Sequence, residues 1–232
     1  MDIANRLTET LDRINLAAQR GGRDPSEIQL VAVSKTHPPE AVQEAFEAGQ
    51  RIFGESRVQE LLAKAPSLSS AIRWHFIGHL QANKIRKMLP LCELIHGVDS
   101  SDLARDIDRI AGELGLFPRI LLEVNVSGEG TKFGFKPDAL REQIDELLAL
   151  PRVQVEGLMA IPAPVADPED VRPAFRLLRE LRDEISSTTG TPLPVLSMGM
   201  SGDYEIAIEE GATLVRVGTA IFGHRPRLKP EA

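Results

Sequence analysis

Leu30-Val31-Ala32-Val33-Ser34-Lys35-Thr36-His37-Pro38-Pro39, residues 30–39, joins two kinds of pattern within ten positions. The run from Ile28 to Val33 is short, apolar and rich in β-branched side chains, as expected of a strand buried on both faces. Pro38-Pro39 then opens a helix, because proline is preorganised for a first helical turn. Val42, Ala45 and Phe46 are its apolar positions and Gly49 closes it. A buried strand followed at once by such a helix is the building unit of a parallel sheet.

The unit recurs along the chain. Further strands are expected at 51–54, 73–77, 94–98, 119–126, 153–159, 195–198 and 213–217. Between them lie helical stripes, such as Leu103, Ile107, Ile110 and Leu114, or Leu140, Ile144, Leu147 and Leu148 after Pro137. Val171, Phe175, Leu178, Leu181 and Ile185 mark another, and helices are expected at 81–89 and 201–210. Ser56 and Gln59 have capping-box spacing at a further helix start. Ile3, Leu7, Leu11 and Ile14 form a stripe ahead of the first strand, ended by Gly21-Gly22, and this extra helix could cover one barrel end. Eight strand–helix units without a dinucleotide glycine fingerprint predict the α/β class, as one (β/α)8 TIM barrel spanning 1–232 with an extra N-terminal helix. Pro162-Ala163-Pro164 fits the loop after strand six.

Composition narrows the function. The 232 residues are 42% hydrophobic and 26% charged, which excludes a disordered chain. Lys+Arg is 27 against Asp+Glu 34, a net charge of -7, which argues against general nucleic-acid binding but leaves room for a local basic pocket. Cys92 is the only cysteine, so no intrachain disulfide forms, a cysteine metal cage is not expected, and Cys92 reads as a small apolar residue. No basic patch leads into an apolar run at the N-terminus, and no stretch reaches the roughly 18 apolar residues of a membrane span. A cytoplasmic protein with no membrane partner is expected.

In barrels of this kind the chemistry sits where strands end and helices begin. Lys35 lies just beyond the first strand, and apolar walls there would lower its pKa and make it a nucleophile toward aldehydes. The bland alternative is a strand-end lysine that reaches water. After strand seven comes Ser197-Met198-Gly199-Met200-Ser201-Gly202-Asp203, and after strand eight Arg216-Val217-Gly218-Thr219-Ala220. Small residues in these two loops let backbone N–H groups approach a phosphate, although they also serve simply to end strands and cap helices. Asp203 suits an anion site only if it points away to cap its helix. Alternation pairs Arg216 with Leu214 on one strand face; in the lumen its charge needs a partner, such as a pyridine nitrogen or the carboxylate of Glu123. His75, between aromatics, reads as a hydrogen-bonded core residue; His37 and His79 read as loop or cap residues without metal-ligand spacing. Lys132, in the loop after strand five, reads as a solvent-facing charge, the alternative being a second lysine that visits a bound ligand.

The segments Ala-Val-Ser-Lys-Thr (32–36), Phe-Gly-Glu (53–55), Trp-His-Phe-Ile-Gly-His-Leu-Gln-Ala-Asn-Lys (74–84), Thr-Lys-Phe-Gly-Phe (131–135), Leu-Ser-Met-Gly-Met-Ser-Gly-Asp (196–203) and Arg-Val-Gly-Thr-Ala-Ile-Phe-Gly (216–223) resemble, in order, the pyridoxal phosphate homeostasis family. The resemblance implies a barrel like the alanine racemase N-terminal domain that binds pyridoxal 5'-phosphate (PLP). By it, Lys35 holds PLP as a Schiff base, Ser201, Gly202, Gly218 and Thr219 hold the phosphate, Arg216 faces the pyridine nitrogen and Met200 lies near the ring. Where the family usually has Asn-Tyr, this chain has Ser56-Arg57. Ser56 is assigned to the cofactor site, but its side chain is shorter, so it reaches PLP through water or not at all. Racemases of this fold take a tyrosine base from a second, β-rich domain, which is not expected here, and the single tyrosine, Tyr204, reads as a packing residue. The implied role is a carrier that buffers PLP or delivers it to PLP-dependent apo-enzymes, as a monomer or weak dimer. The alternative is a weak amino-acid racemase, and a third reading is a cofactor-free lysine aldolase.

Overall fold

The computed structural model describes residues 2–128 and 133–223. Its strands are β1 (Gln29–Val33), β2 (Ile52–Glu55), β3 (Arg73–Phe76), β4 (Leu94–Val98), β5 (Arg119–Glu123), β6 (Gln154–Met159), β7 (Val195–Ser197) and β8 (Leu214–Val217). They pair in parallel and in chain order, and β8 returns to β1 to close the barrel, with Val31 opposite Arg216. The α-helices are α1 (Ile3–Arg20), α2 (Pro39–Glu47), α3 (Val58–Lys64), α4 (Ile85–Met88), α5 (Ser101–Leu114), α6 (Pro137–Leu148), α7 (Arg172–Thr189), α8 (Tyr204–Glu209) and α9 (Thr219–Phe222). The expected α/β barrel is therefore present.

Strand alternation divides the apolar residues into two cores. Val31, Val33, Ile52, Ile77, Leu94, Leu121, Met159 and Leu214 form one buried cluster, the barrel filling. Their strand neighbours Leu30, Ala32, Phe53, Ile95 and Leu122 join the larger cluster beneath the helices. Both faces of each strand are buried, which is why the strands read as continuous apolar runs.

Four local expectations are corrected. α1 joins the outer ring, packed against α2, α8 and α9, instead of covering a barrel end. Arg13 and Arg20 pair there with Glu205, and Leu11 stays exposed, outside the buried stripe of Ile3, Leu7 and Ile14. The Ser56–Gln59 capping box does not form, because Arg57 is the N-cap residue and Ser56 lies one position too early. Residues 81–89 make a 3-10 turn and the single-turn α4, and a second 3-10 turn carries Pro90, which removes a helix donor. The helix expected from Ser201 starts at Tyr204, so residues 201–203 remain a turn. Among the described residues no helix is long and apolar enough to cross a membrane.

Candidate functional site

Alternation along β1 turns Val31 and Val33 inward, and the chain leaves the strand at Ser34. Lys35, Met200, Ser201, Gly202, Arg216, Gly218 and Thr219 line a single cavity of about 300 Å³, walled also by Val33, Ile77 and Ile161. Seven of the eight expected site residues are thus brought together. Ser56 is not on this wall; its carbonyl oxygen lies 2.2 Å from where a Cβ on Gly78 would stand, so glycine alone fits there.

The turn carrying Lys35 is braced on both sides. Ser34 Oγ donates to Glu55 Oε1 at 2.7 Å, and Lys64 Nζ donates to the Ser34 carbonyl at 2.9 Å and to the same Glu55 oxygen at 2.7 Å. Burial pushes the Glu55 carboxyl up, against the pull of Lys64 and Ser34. Thr36 sits at φ 68, a left-handed conformation that costs a β-branched residue on the order of 1 kcal/mol, and its N–H is taken by Glu60 Oε2 at 2.7 Å.

The two terminal turns face each other. The Gly218 N–H donates to Ser201 Oγ at 3.3 Å and ties them together. Asp203 does not oppose an anion there, since its Oδ1 turns back to accept the Met200 N–H at 2.6 Å. Among the described residues, the N–H groups of Ser201, Gly202 and Thr219 have no intramolecular acceptor. Backbone donors left open beside hydroxyls suit phosphate oxygens.

Arg216 is 4% exposed and lies in the lumen. Its Nη1 donates to Ser197 Oγ at 2.5 Å and its Nη2 to the Ala160 carbonyl at 2.9 Å. The considered salt bridge to Glu123 is not formed, and no carboxylate lies within ion-pair distance among the described residues. Burial lowers the guanidinium to about 10, with Glu123 and Asp203 opposing at longer range. Burial also pushes Glu123 up to about 7, aided by Asp99 and opposed by Arg216 and His79.

Sequence reasoning missed His96 and Ser197. His96 Nδ1 lies 2.8 Å from Ser197 Oγ, and its Nε2 lies 3.0 Å from His75 Nδ1. Counting inward positions from Leu94 and Val195 would have placed both in the lumen. His75 is the hydrogen-bonded core residue expected. His37 stacks on Phe222, and His79 pairs with Asp99 at 2.8 Å and stacks on Phe133. Among the described residues no cluster could hold a metal. Tyr204 is buried under Arg13 and is not on the cavity wall. Cys92 packs against the core, and burial raises its thiol. Lys132 lies outside the described residues.

The donor set fits PLP: an amine for an aldehyde, open N–H groups for a phosphate, and a buried donor-only cation for a ring nitrogen.

Comparison with known proteins agrees with this geometry. The model of the family "Alanine racemase, N-terminal domain" matches residues 11–226. A pyridoxal phosphate homeostasis protein of Aquifex aeolicus is 47% identical over 97% of this chain and 99% of its own length. Another, from Pseudomonas aeruginosa, is 44% identical over 96% of each. The solved structure of PipY from Synechococcus elongatus PCC7942 with PLP bound superposes with a TM-score of 0.84, at 41% identity, covering 96% of this chain and all (100%) of that one. An alanine racemase of Clostridium difficile 630 shares the fold, with a TM-score of 0.75 at 17% identity, over 96% of this chain and 57% of that one.

Proposed function

Since the chain belongs to the pyridoxal phosphate homeostasis family, built on the alanine racemase N-terminal fold, we propose that it binds PLP at its barrel mouth and serves intracellular PLP homeostasis as a carrier. The observation that carries this reading is the single cavity uniting Lys35, Arg216 and the two terminal turns. When bound, PLP supplies an electrophilic aldehyde and a phosphate dianion. Lys35 would hold that aldehyde through its side-chain amine. The open N–H groups of Ser201, Gly202 and Thr219 would hold the phosphate, with Gly218 leaving room for it, and Met200 would border the ring.

Arg216 can only donate, so a ring nitrogen beside it stays unprotonated. That weakens the electron withdrawal on which racemisation depends. Among the described residues of the cavity wall, Lys35 carries the one side-chain amine, and no carboxylate, imidazole or phenol stands there as a second proton-transfer group. Both features support holding and release over turnover, with PLP-dependent apo-enzymes as recipients.

Borohydride reduction of the PLP-loaded protein followed by peptide mass mapping tests the anchor. A pyridoxyl label at Lys35 is expected; a label elsewhere, or none, overturns it. Delivery is tested by mixing loaded protein with an apo-enzyme and a scavenger of free PLP. Activation faster than spontaneous release is expected, and equal rates would sink the delivery role.

A further inference from the structure

Four side chains from four strands cross the lumen in one hydrogen-bonded line: His75 on β3, His96 on β4, Ser197 on β7 and Arg216 on β8. All are buried. One set of bond directions leaves the fewest polar atoms in this line without a partner. Arginine only donates, so Ser197 Oγ accepts from Arg216. Among the described residues the serine hydroxyl proton has one acceptor in reach, His96 Nδ1, and using it leaves that nitrogen bare. A neutral His96 with a bare Nδ1 carries its proton on Nε2 and donates it to His75 Nδ1. His75 in turn carries its proton on Nε2, an atom with no partner. Desolvation holds both imidazoles neutral, His75 down at about 4 and His96 well below its ordinary value.

This arrangement solves a specific problem. A buried guanidinium ordinarily takes a carboxylate partner, which would neutralise it. Here its described partners are two neutral oxygens, of Ser197 and Ala160. While His96 takes its proton, Ser197 keeps a lone pair turned toward Arg216; without that acceptor the O–H also samples orientations that point its proton at the guanidinium, which weakens the anchor.

We infer that His96 is a positioning residue: the neutral line His75–His96–Ser197 aims Arg216 at the cavity without a counter-ion, leaving its charge and remaining N–H groups for an acceptor on the ligand ring. The ligand part rests on the PLP reading above, whereas the bond directions do not.

Two measurements separate these parts. In apo-protein labelled with 15N at histidine, long-range ring spectra at neutral pH are expected to show His75 and His96 as neutral Nε2–H tautomers. A proton on His96 Nδ1, or an imidazolium, overturns the line whether or not PLP binds. The second measurement is PLP titration of two variants, His96→Asn and His96→Leu. An asparagine side chain would place an oxygen where His96 Nδ1 stands, whereas a leucine side chain would offer no acceptor. His96→Leu is expected to weaken PLP binding about tenfold and to shift the absorption maximum of the bound form, and His96→Asn to restore both toward wild type. Equal losses in the two variants, tracking only their melting temperatures, would reduce the line to packing and overturn the positioning role. If wild-type protein takes up no PLP, the site reading falls and the apo spectra still decide the line.

Discussion

Lys64 Nζ stands 2.7 Å from Glu55 Oε1, and both side chains are buried. The ammonium also holds the Ser34 carbonyl, so this pair braces the backbone directly before Lys35. Removing one partner strands the other charge. Lys64→Met is therefore expected to cost about 3–5 kcal/mol in urea unfolding, and the double variant Glu55→Gln/Lys64→Met to recover most of it. Equal stability of single and double variants would show that the pair is not coupled.

Lys35→Ala removes the amine but none of the bracing groups. Its stability is expected to stay within about 0.5 kcal/mol of wild type, while the visible absorbance of PLP-loaded protein is lost. A variant that remained yellow would move the anchor to another lysine.

Arg216→Glu puts an acceptor where the lumen now offers a donor. A carboxylate there favours a protonated ring nitrogen and restores electron withdrawal. The bound-cofactor spectrum is expected to change, and α-hydrogen exchange of amino acids in deuterated water to rise. An unchanged spectrum would argue against Arg216 facing the ring.

Glu123 makes stability depend on pH. Its folded value, about 7, lies above the ordinary 4.5, because burial and then Asp99 disfavour the charged form. Its contribution is thus full below about pH 4.5 and is lost as pH rises through 7, by about 3 kcal/mol in total. His75, held down at about 4, acts oppositely: its contribution is full above its ordinary 6.5 and falls away as pH drops toward 4. Glu123→Gln isolates the first effect. Its stability relative to wild type should climb between pH 4.5 and 7 and then level off, as read by denaturant titration at each pH; a flat difference would contradict the assignment.

Much of the site was legible because its signals are local. Lys35 announces itself as a lysine just past a β-branched run, and Ser201-Gly202 and Gly218-Thr219 as small residues after the last two strands. Ser56 was less legible, since its place depends on how the end of β2 packs against Gly78. The Glu55–Lys64–Ser34 brace was hidden too, because it needs β1, β2 and α3 at once.

Alone, the sequence determined the order of strands and helices, the lysine at the first strand end and the two loops suited to an anion, all properties of side-chain spacing within a few residues. Only the tertiary structure decided which polar groups share the lumen. Ser197 meets His96 across 101 positions, and Arg216 meets Ala160 across 56. It also seated α1 in the outer ring. Closing the barrel through β8 and β1 sets those distances, and no local pattern encodes them.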